Sequence, residues 1–178
     1  MRPTWSIATT SPTHWSPTHS GVDFLINNAG RSIRRAVEAR YDRFHDYERT
    51  MQLDYFGCLC VTMRLLLGMA TRREGHVVNI GTVGVLTNAP RFSSYVAGNV
   101  APDAWIRSVS SEFADVGISF ATINMPLVRT PMIAPTNLYN NVSALAPEEA
   151  ADLIAQACIF KPVRTPPARA LLRRSCTR

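Results

Sequence analysis

Residues 22–30 read VDFLINNAG, a short apolar run that breaks off in Asn-Asn-Ala-Gly. A run of this length bounded by turn-forming residues reads as a buried strand opening into a loop. Two similar runs follow, GHVVNIG at 75–81 and GISFATINM at 117–125, each beginning with a glycine. Between them the apolar period lengthens. Residues 45–69 place Met51, Tyr55, Cys58, Thr62, Leu66 and Met69 at helical spacing. Residues 94–114 repeat the pattern, with Tyr95, Trp105 and Phe113 among the large apolar members. A third helix is expected from Pro147, with Glu148 and Glu149 in a first turn whose dipole favours carboxylates, to about Cys158. Strand and helix therefore alternate, which predicts an α/β architecture with a parallel sheet. Three strands are few for such a sheet, because a parallel strand needs neighbours on both sides and cover on both faces.

The composition agrees with a globular domain. The chain has 178 residues, 46% apolar and 18% charged, enough for one core. The longest apolar run lies near 65–70 and contains Gly68, far short of the ~20 residues of a membrane span. No apolar segment follows Arg2, so no signal peptide is read and a cytoplasmic protein is expected. The formal charge is +6, yet the arginines are scattered, with small clusters at Arg31, Arg34 and Arg35 and at Arg173 and Arg174. No aromatic residues interleave with them, which speaks against nucleic-acid binding. Cys58, Cys60, Cys158 and Cys176 form no CxxC pair and have no histidine at ligand spacing, so they read as small apolar core residues rather than a metal site. Residues 1–20 repeat SPTH and are rich in Pro, Ser and Thr. They read as a flexible leader, residues 21–160 as the ordered domain, and 161–178 as a basic tail. From Leu53 to Met69 the first helix is apolar almost all round, with Arg64 the main exception. It must be covered on two sides, and a homodimer through the helices near 45–69 and 94–114 is expected.

Four stretches fall in one order: LINNAG at 25–30, VVNIGT at 77–82, SSYVAGN at 93–99 and PLVRTPM at 126–132. In motif and spacing they resemble the short-chain dehydrogenase/reductases, over about residues 21–160. The region from Met125 to Arg164 further resembles the C-terminal reductase domain of bacterial multidomain fatty acyl-CoA reductases. The resemblance implies hydride exchange between NADP or NAD and a carbonyl or alcohol carbon of a small-molecule substrate. In that chemistry a tyrosine moves the proton, but free tyrosine has a pKa near 10. A lysine one helical turn later lowers it and holds the nicotinamide ribose. A serine hydroxyl fixes the substrate oxygen, and an asparagine on the preceding helix supports the lysine and a relay water.

Carried over residue by residue, Tyr95 matches the acid/base and Thr82 stands at the serine position. The asparagine position holds Asp54 and the lysine position holds Asn99. Asn27, Ala29 and Gly30 match the loop beside the cofactor, as do Pro126, Val128 and Thr130, with Tyr95 at the nicotinamide. Asn99 carries no charge, and Lys161 is the one lysine in the chain, expected after the third helix. Asp54, if ionised, opposes ionisation of Tyr95. Gly98 and Pro102 lie in the same helix, where they cost about 1 and 3 kcal/mol in propensity; a kink, or a restart at Pro102, is expected. The family places NNAG at the end of its fourth strand, with a TGxxxGxG turn upstream, and no glycine occurs before Gly21. The expected fold is thus the C-terminal part of a Rossmann-like three-layer domain lacking its first three strand–helix units. The expected function is that of a reductase remnant without catalysis. The alternatives are an interaction or dimerisation module, and an active reductase using Tyr95 and Thr82.

Overall fold

The computed structural model describes residues 21–139, 141–162 and 164–165. The expected leader over 1–20, Cys176 and most of the expected tail lie outside the described residues. The sheet is parallel, with spatial order equal to chain order: β1 (Phe24–Asn27), β2 (Gly75–Thr82), β3 (Ile118–Met125) and β4 (Arg164–Thr165). The two-residue β4 was not expected. It sits where the sequence reads as the start of a basic tail and pairs only with Thr122 and Ile123, too short a segment to leave a periodic signal.

Helices cover the sheet on both faces. On one side lie α1 (Phe44–Met51), α2 (Cys58–Arg72) and α4 (Ser93–Glu112). Leu66 and Met69 of α2 and Ile106 and Val109 of α4 form a core there with Val77, Ile118 and Phe120. On the other side α5 (Pro147–Phe160) buries Ala150, Leu153 and Ala157 against Val78, Ile123 and Met125. The alternation of Val77 and Val78 between the two cores is the two-residue period of a strand covered on both faces. The start of α5 is as expected: Pro147 opens it, and the Ala146 N–H donates to the Glu149 carboxylate at 2.7 Å. A short α3 (Gly84–Thr87) follows β2. Gly117 turns the chain into β3 at φ +79°, where a Cβ would collide with the Arg73 backbone carbonyl, so this turn requires glycine.

One expectation about the helices is extended and one is corrected. First, as the 45–69 pattern predicts, α1 and α2 are one continuous helix, here over Phe44–Arg72 and with a π-helical turn at Gln52–Gly57 that the pattern did not show. It is 29 residues long with a mean hydropathy of 1.4 in its most apolar window, so by length and composition it matches a membrane-crossing helix. Counting unbroken apolar runs missed this because Asp54 and Arg64 interrupt them. Length and composition are weak grounds here, since Thr50, Asp54, Thr62, Leu66 and Met69 are buried as in a layer helix. Its outer face is bare: Phe44 is 71% and Leu67 76% exposed. Second, α4 runs unbroken through Pro102. Gly98 and Pro102 are both buried in it, and packing outweighs the propensity loss. A Cβ on Gly98 would lie 3.1 Å from Asp54 Cβ and 3.2 Å from Thr50 Cγ2, so glycine permits the close crossing of α4 over the π turn.

The edge β1 is covered on one face only. Leu25 packs into the core beneath α2 and α4. Phe24 and Ile26 point to the α5 side and remain 48% and 43% exposed, because α5 packs mainly on β2 and β3. Among the described residues β1 pairs with β2 alone.

Candidate active site

A cleft of about 400 Å³ opens at the C-terminal ends of β1, β2 and β3. This is the end at which open parallel sheets receive ligands. All ten residues singled out from sequence line it: Asn27, Ala29, Gly30, Asp54, Thr82, Tyr95, Asn99, Pro126, Val128 and Thr130. β1 delivers the Asn27–Gly30 loop, β2 ends at Thr82, α4 carries Tyr95 and Asn99 one turn apart, and the segment after β3 supplies the remaining three.

Thr82 and Tyr95 form a hydroxyl pair in the cleft lining, close enough that the Thr82 hydroxyl favours the ionised phenol; Thr82 Oγ1 also accepts the Gly84 N–H at 3.1 Å. Tyr95 is nevertheless held above the usual tyrosine pKa. Burial is the main cause; the Thr82 hydroxyl works against it, and the nearby Asp54 and Tyr139 add to it. No lysine offsets these effects, because Asn99 stands in its place and its amide donates to the Tyr95 carbonyl at 2.9 Å. That bond ties Asn99 to its own helix.

Asp54 is the most unusual group. It lies in the π turn, only 6% exposed, and π turns within α-helices often mark functional positions. Its Oδ1 accepts the Arg31 N–H at 3.0 Å, fixing the loop that follows β1. Its Oδ2 is buried without a hydrogen-bond partner. Burial pushes its pKa up to about 6, with the Arg31 N–H pulling the other way. It therefore exchanges its proton in mildly acidic solution, well above the ordinary carboxylate range.

Asn27, expected as a cofactor contact, also has a structural tie. Its amide donates to Thr62 Oγ1 at 2.9 Å, and Thr62 in turn donates to the Cys58 carbonyl at 2.7 Å. Asn27 therefore pins β1 to α2 from inside the cleft wall. Cys58 is half-buried, and burial raises its thiol pKa to about 11, which suits an inert residue.

Among the cleft residues not singled out as site residues from sequence, three stand out. Asn79 is buried and its Nδ2 has no partner; it lies in a strand run where only its polarity among valines and isoleucines marks it. Arg34 and Tyr139 line the cleft from opposite segments and interact electrostatically. Nothing local in the sequence pairs them, since they are brought together by the loops after β1 and β3.

A family model for short chain dehydrogenases matches residues 13–141. The chain is 58% identical over 143 residues to a fatty acyl-CoA reductase of Acinetobacter baylyi, covering 80% of this chain and 48% of that protein. It is 45% identical over 148 residues to a fatty acyl-CoA reductase of Mycobacterium tuberculosis, covering 83% and 50%. The chain thus spans about half the length of these curated relatives. Among solved structures, a short chain dehydrogenase from Burkholderia cenocepacia in complex with NADP superposes with a TM-score of 0.73. The superposition covers 82% of this chain and 59% of that one at 19% identity, a likeness of fold. With parallel sheet, cleft and motifs in one register, and with the family model spanning most of its length, the chain belongs to the short-chain dehydrogenase family of oxidoreductases.

Proposed function

We propose that this chain derives from an NADP- or NAD-dependent reductase of long-chain acyl thioesters or aldehydes, and that in its present sequence it does not transfer hydride. The observation that carries the second part is the pairing of Asn99 with the Tyr95 carbonyl. The position that needs a cation beside the phenol holds a neutral amide, and Asp54 adds an opposing charge once ionised. The acyl part rests on the two fatty acyl-CoA reductases it resembles.

The cleft suits the nicotinamide end of such a cofactor. Asn79 Nδ2 is a buried donor without a protein partner, of the kind a bound ligand satisfies. Ala29 and Gly30 on one wall and Pro126, Val128 and Thr130 on the other would hold the group, which when bound supplies a hydride. The chain's own part would be played by Thr82 and Tyr95. Thr82 would orient the substrate oxygen, and Tyr95 would give it a proton, a step slowed in proportion to how far the phenol pKa is raised. The test is oxidation of NADPH or NADH with lauroyl-CoA and dodecanal. Equal background rates for this chain and its Tyr95→Phe variant are expected; turnover clearly above that variant overturns the proposal.

A second reading is favoured by the bare outer face of the α1–α2 helix, where Phe44, Met63 and Leu67 are exposed. We infer self-association through this face and α4, which sedimentation would report as a concentration-dependent dimer. A monomer at all concentrations overturns it.

A further inference from the structure

We propose that Arg34, with Arg31 and Arg91, forms the recognition point for the phosphorylated carrier end of an acyl thioester; this rests on the acyl-substrate reading above. Arg34 is exposed and lines the cleft, facing Tyr139, which in turn acts electrostatically on Tyr95. Arg34 and the hydroxyl pair thus line one cleft.

The arginines around this rim are not equivalent. Arg35 and Arg43 are engaged by Asp46, at 3.8 and 3.1 Å. Arg31, Arg34 and Arg91 form no ion pair among the described residues. The Arg35 N–H donates to the Arg91 carbonyl at 2.7 Å, which brings the segment after β1 against the segment leading into α4. The three exposed arginines therefore stand on two touching loops, with Arg34 in the cleft lining. Guanidinium groups left without carboxylates suit phosphate, which they bind through paired N–H donors.

The rest of the cleft fits the remainder of such a ligand. Phe92, Met132, Ile133 and Val142 give it an apolar wall. The cleft thus offers an acyl thioester an apolar wall, a hydroxyl pair and a guanidinium. The cofactor also carries phosphates, so the experiment must separate the two sources.

Binding needs no turnover and uses the full chain. Lauroyl-CoA, lauroyl-N-acetylcysteamine (the same thioester without phosphates) and NADPH would each be titrated into the wild type and the Arg34→Glu variant by calorimetry at low salt. The expected result is that Arg34→Glu weakens lauroyl-CoA by about tenfold or more, a loss of about 1.4 kcal/mol, and leaves lauroyl-N-acetylcysteamine unchanged. Raising salt should weaken lauroyl-CoA for the wild type far more than for the variant. Unchanged lauroyl-CoA binding in the variant, or a loss confined to NADPH, overturns the assignment of Arg34 while the acyl reading stands. Failure of both thioesters to bind the wild type overturns the acyl reading and the assignment together.

Discussion

His76 and Asp54 are both buried ionisable side chains, set at opposite ends of the sheet, and their surroundings differ in one respect. His76, at the start of β2, has both ring nitrogens partnered, with Ser119 Oγ at 2.7 Å and the Ala157 carbonyl at 3.1 Å. Asp54, beside the ends of the strands, has one oxygen held and the other bare. Burial disfavours the charged form of each: it lowers the histidine pKa and raises that of the aspartate. The satisfied group acts as a fastener, tying α5 to two strands. The unsatisfied group sits in the cleft, where an unmet hydrogen bond is available to a ligand. One end of this sheet meets its buried polar groups from within, and the other leaves them open to a ligand.

The largest expected effect breaks the fastener. His76→Ala removes a fully buried ring and its bonds to the Ala157 carbonyl and Ser119 hydroxyl, each of which keeps one other partner, the Lys161 N–H and the Gly75 carbonyl. The cavity and the two lost bonds together should destabilise the fold by about 3 kcal/mol. Urea unfolding would measure it, and hydrogen exchange should rise first in α5. A loss under about 1 kcal/mol would show that the contact is dispensable.

The next effect comes from pH, with opposite sign at the two ends. Neutral His76 contributes stability that is complete above the unfolded histidine pKa near 6.5 and is lost as pH falls below it. Asp54 behaves in reverse. Its folded pKa of about 6 exceeds its ordinary 3.8, so folding is favoured below about 4, and that benefit is lost as pH rises to 6. The difference is on the order of 2–3 kcal/mol. Between pH 4 and 6.5 the two trends oppose each other. Asp54→Asn should therefore raise stability by about 2 kcal/mol at pH 7.5 and by almost nothing at pH 4, and the stability of the variant should fall steadily on acidification. An equal gain at both pH values would show that Asp54 is not charged in the native protein at pH 7.5.

The sequence made much of this architecture readable. Apolar runs opening on Gly75 and Gly117 placed β2 and β3, and NNAG, VVNIGT and the tyrosine at 95 gathered the cleft before any coordinates. The order of layers and the residues lining the cleft follow from short-range pattern plus family resemblance. What escaped was long-range. The tie of Asn27 to Thr62, the meeting of Arg34 and Tyr139 in one cleft, and the burial of His76 each depend on segments dozens of residues apart. Helix propensity misled at Pro102, because the crossing at Gly98 was invisible from composition. β4 was missed because two residues carry no period.

A smaller effect sharpens the comparison inside the cleft. Asn99→Lys would place a cation one turn from Tyr95 and near Asp54. Opposite charge at such range lowers a phenol pKa by about one unit or more, worth about 1.4 kcal/mol per unit. Phenolate absorbance during an alkaline titration, with the Tyr95→Phe trace subtracted, would measure it. A Tyr95 titration that does not move would show that the lysine points away from the phenol.

The smallest effect concerns Gly98, where Asp54's bare oxygen meets α4. A Cβ there would be 3.2 Å from Asp54 Oδ2 as well as 3.1 Å from its Cβ, so either Gly98→Ala or Gly98→Ser must spread the crossing by a few tenths of an ångström. Both gain helix propensity, alanine about 1 kcal/mol and serine roughly half of that. Serine alone brings a hydroxyl within reach of the unpartnered oxygen. A hydrogen bond to a charged group is worth about 1.5–3 kcal/mol, and it is strongest while Asp54 is ionised. Gly98→Ser should therefore exceed Gly98→Ala in stability by about 1 kcal/mol at pH 7.5, and the order should narrow or reverse by pH 4.5 as Asp54 takes up its proton. Steric cost is shared by the two variants and cancels in the difference. If alanine is the more stable at both pH values, the orphaned oxygen does not face α4 in solution, and the contrast between the two ends of the sheet must rest on His76 alone.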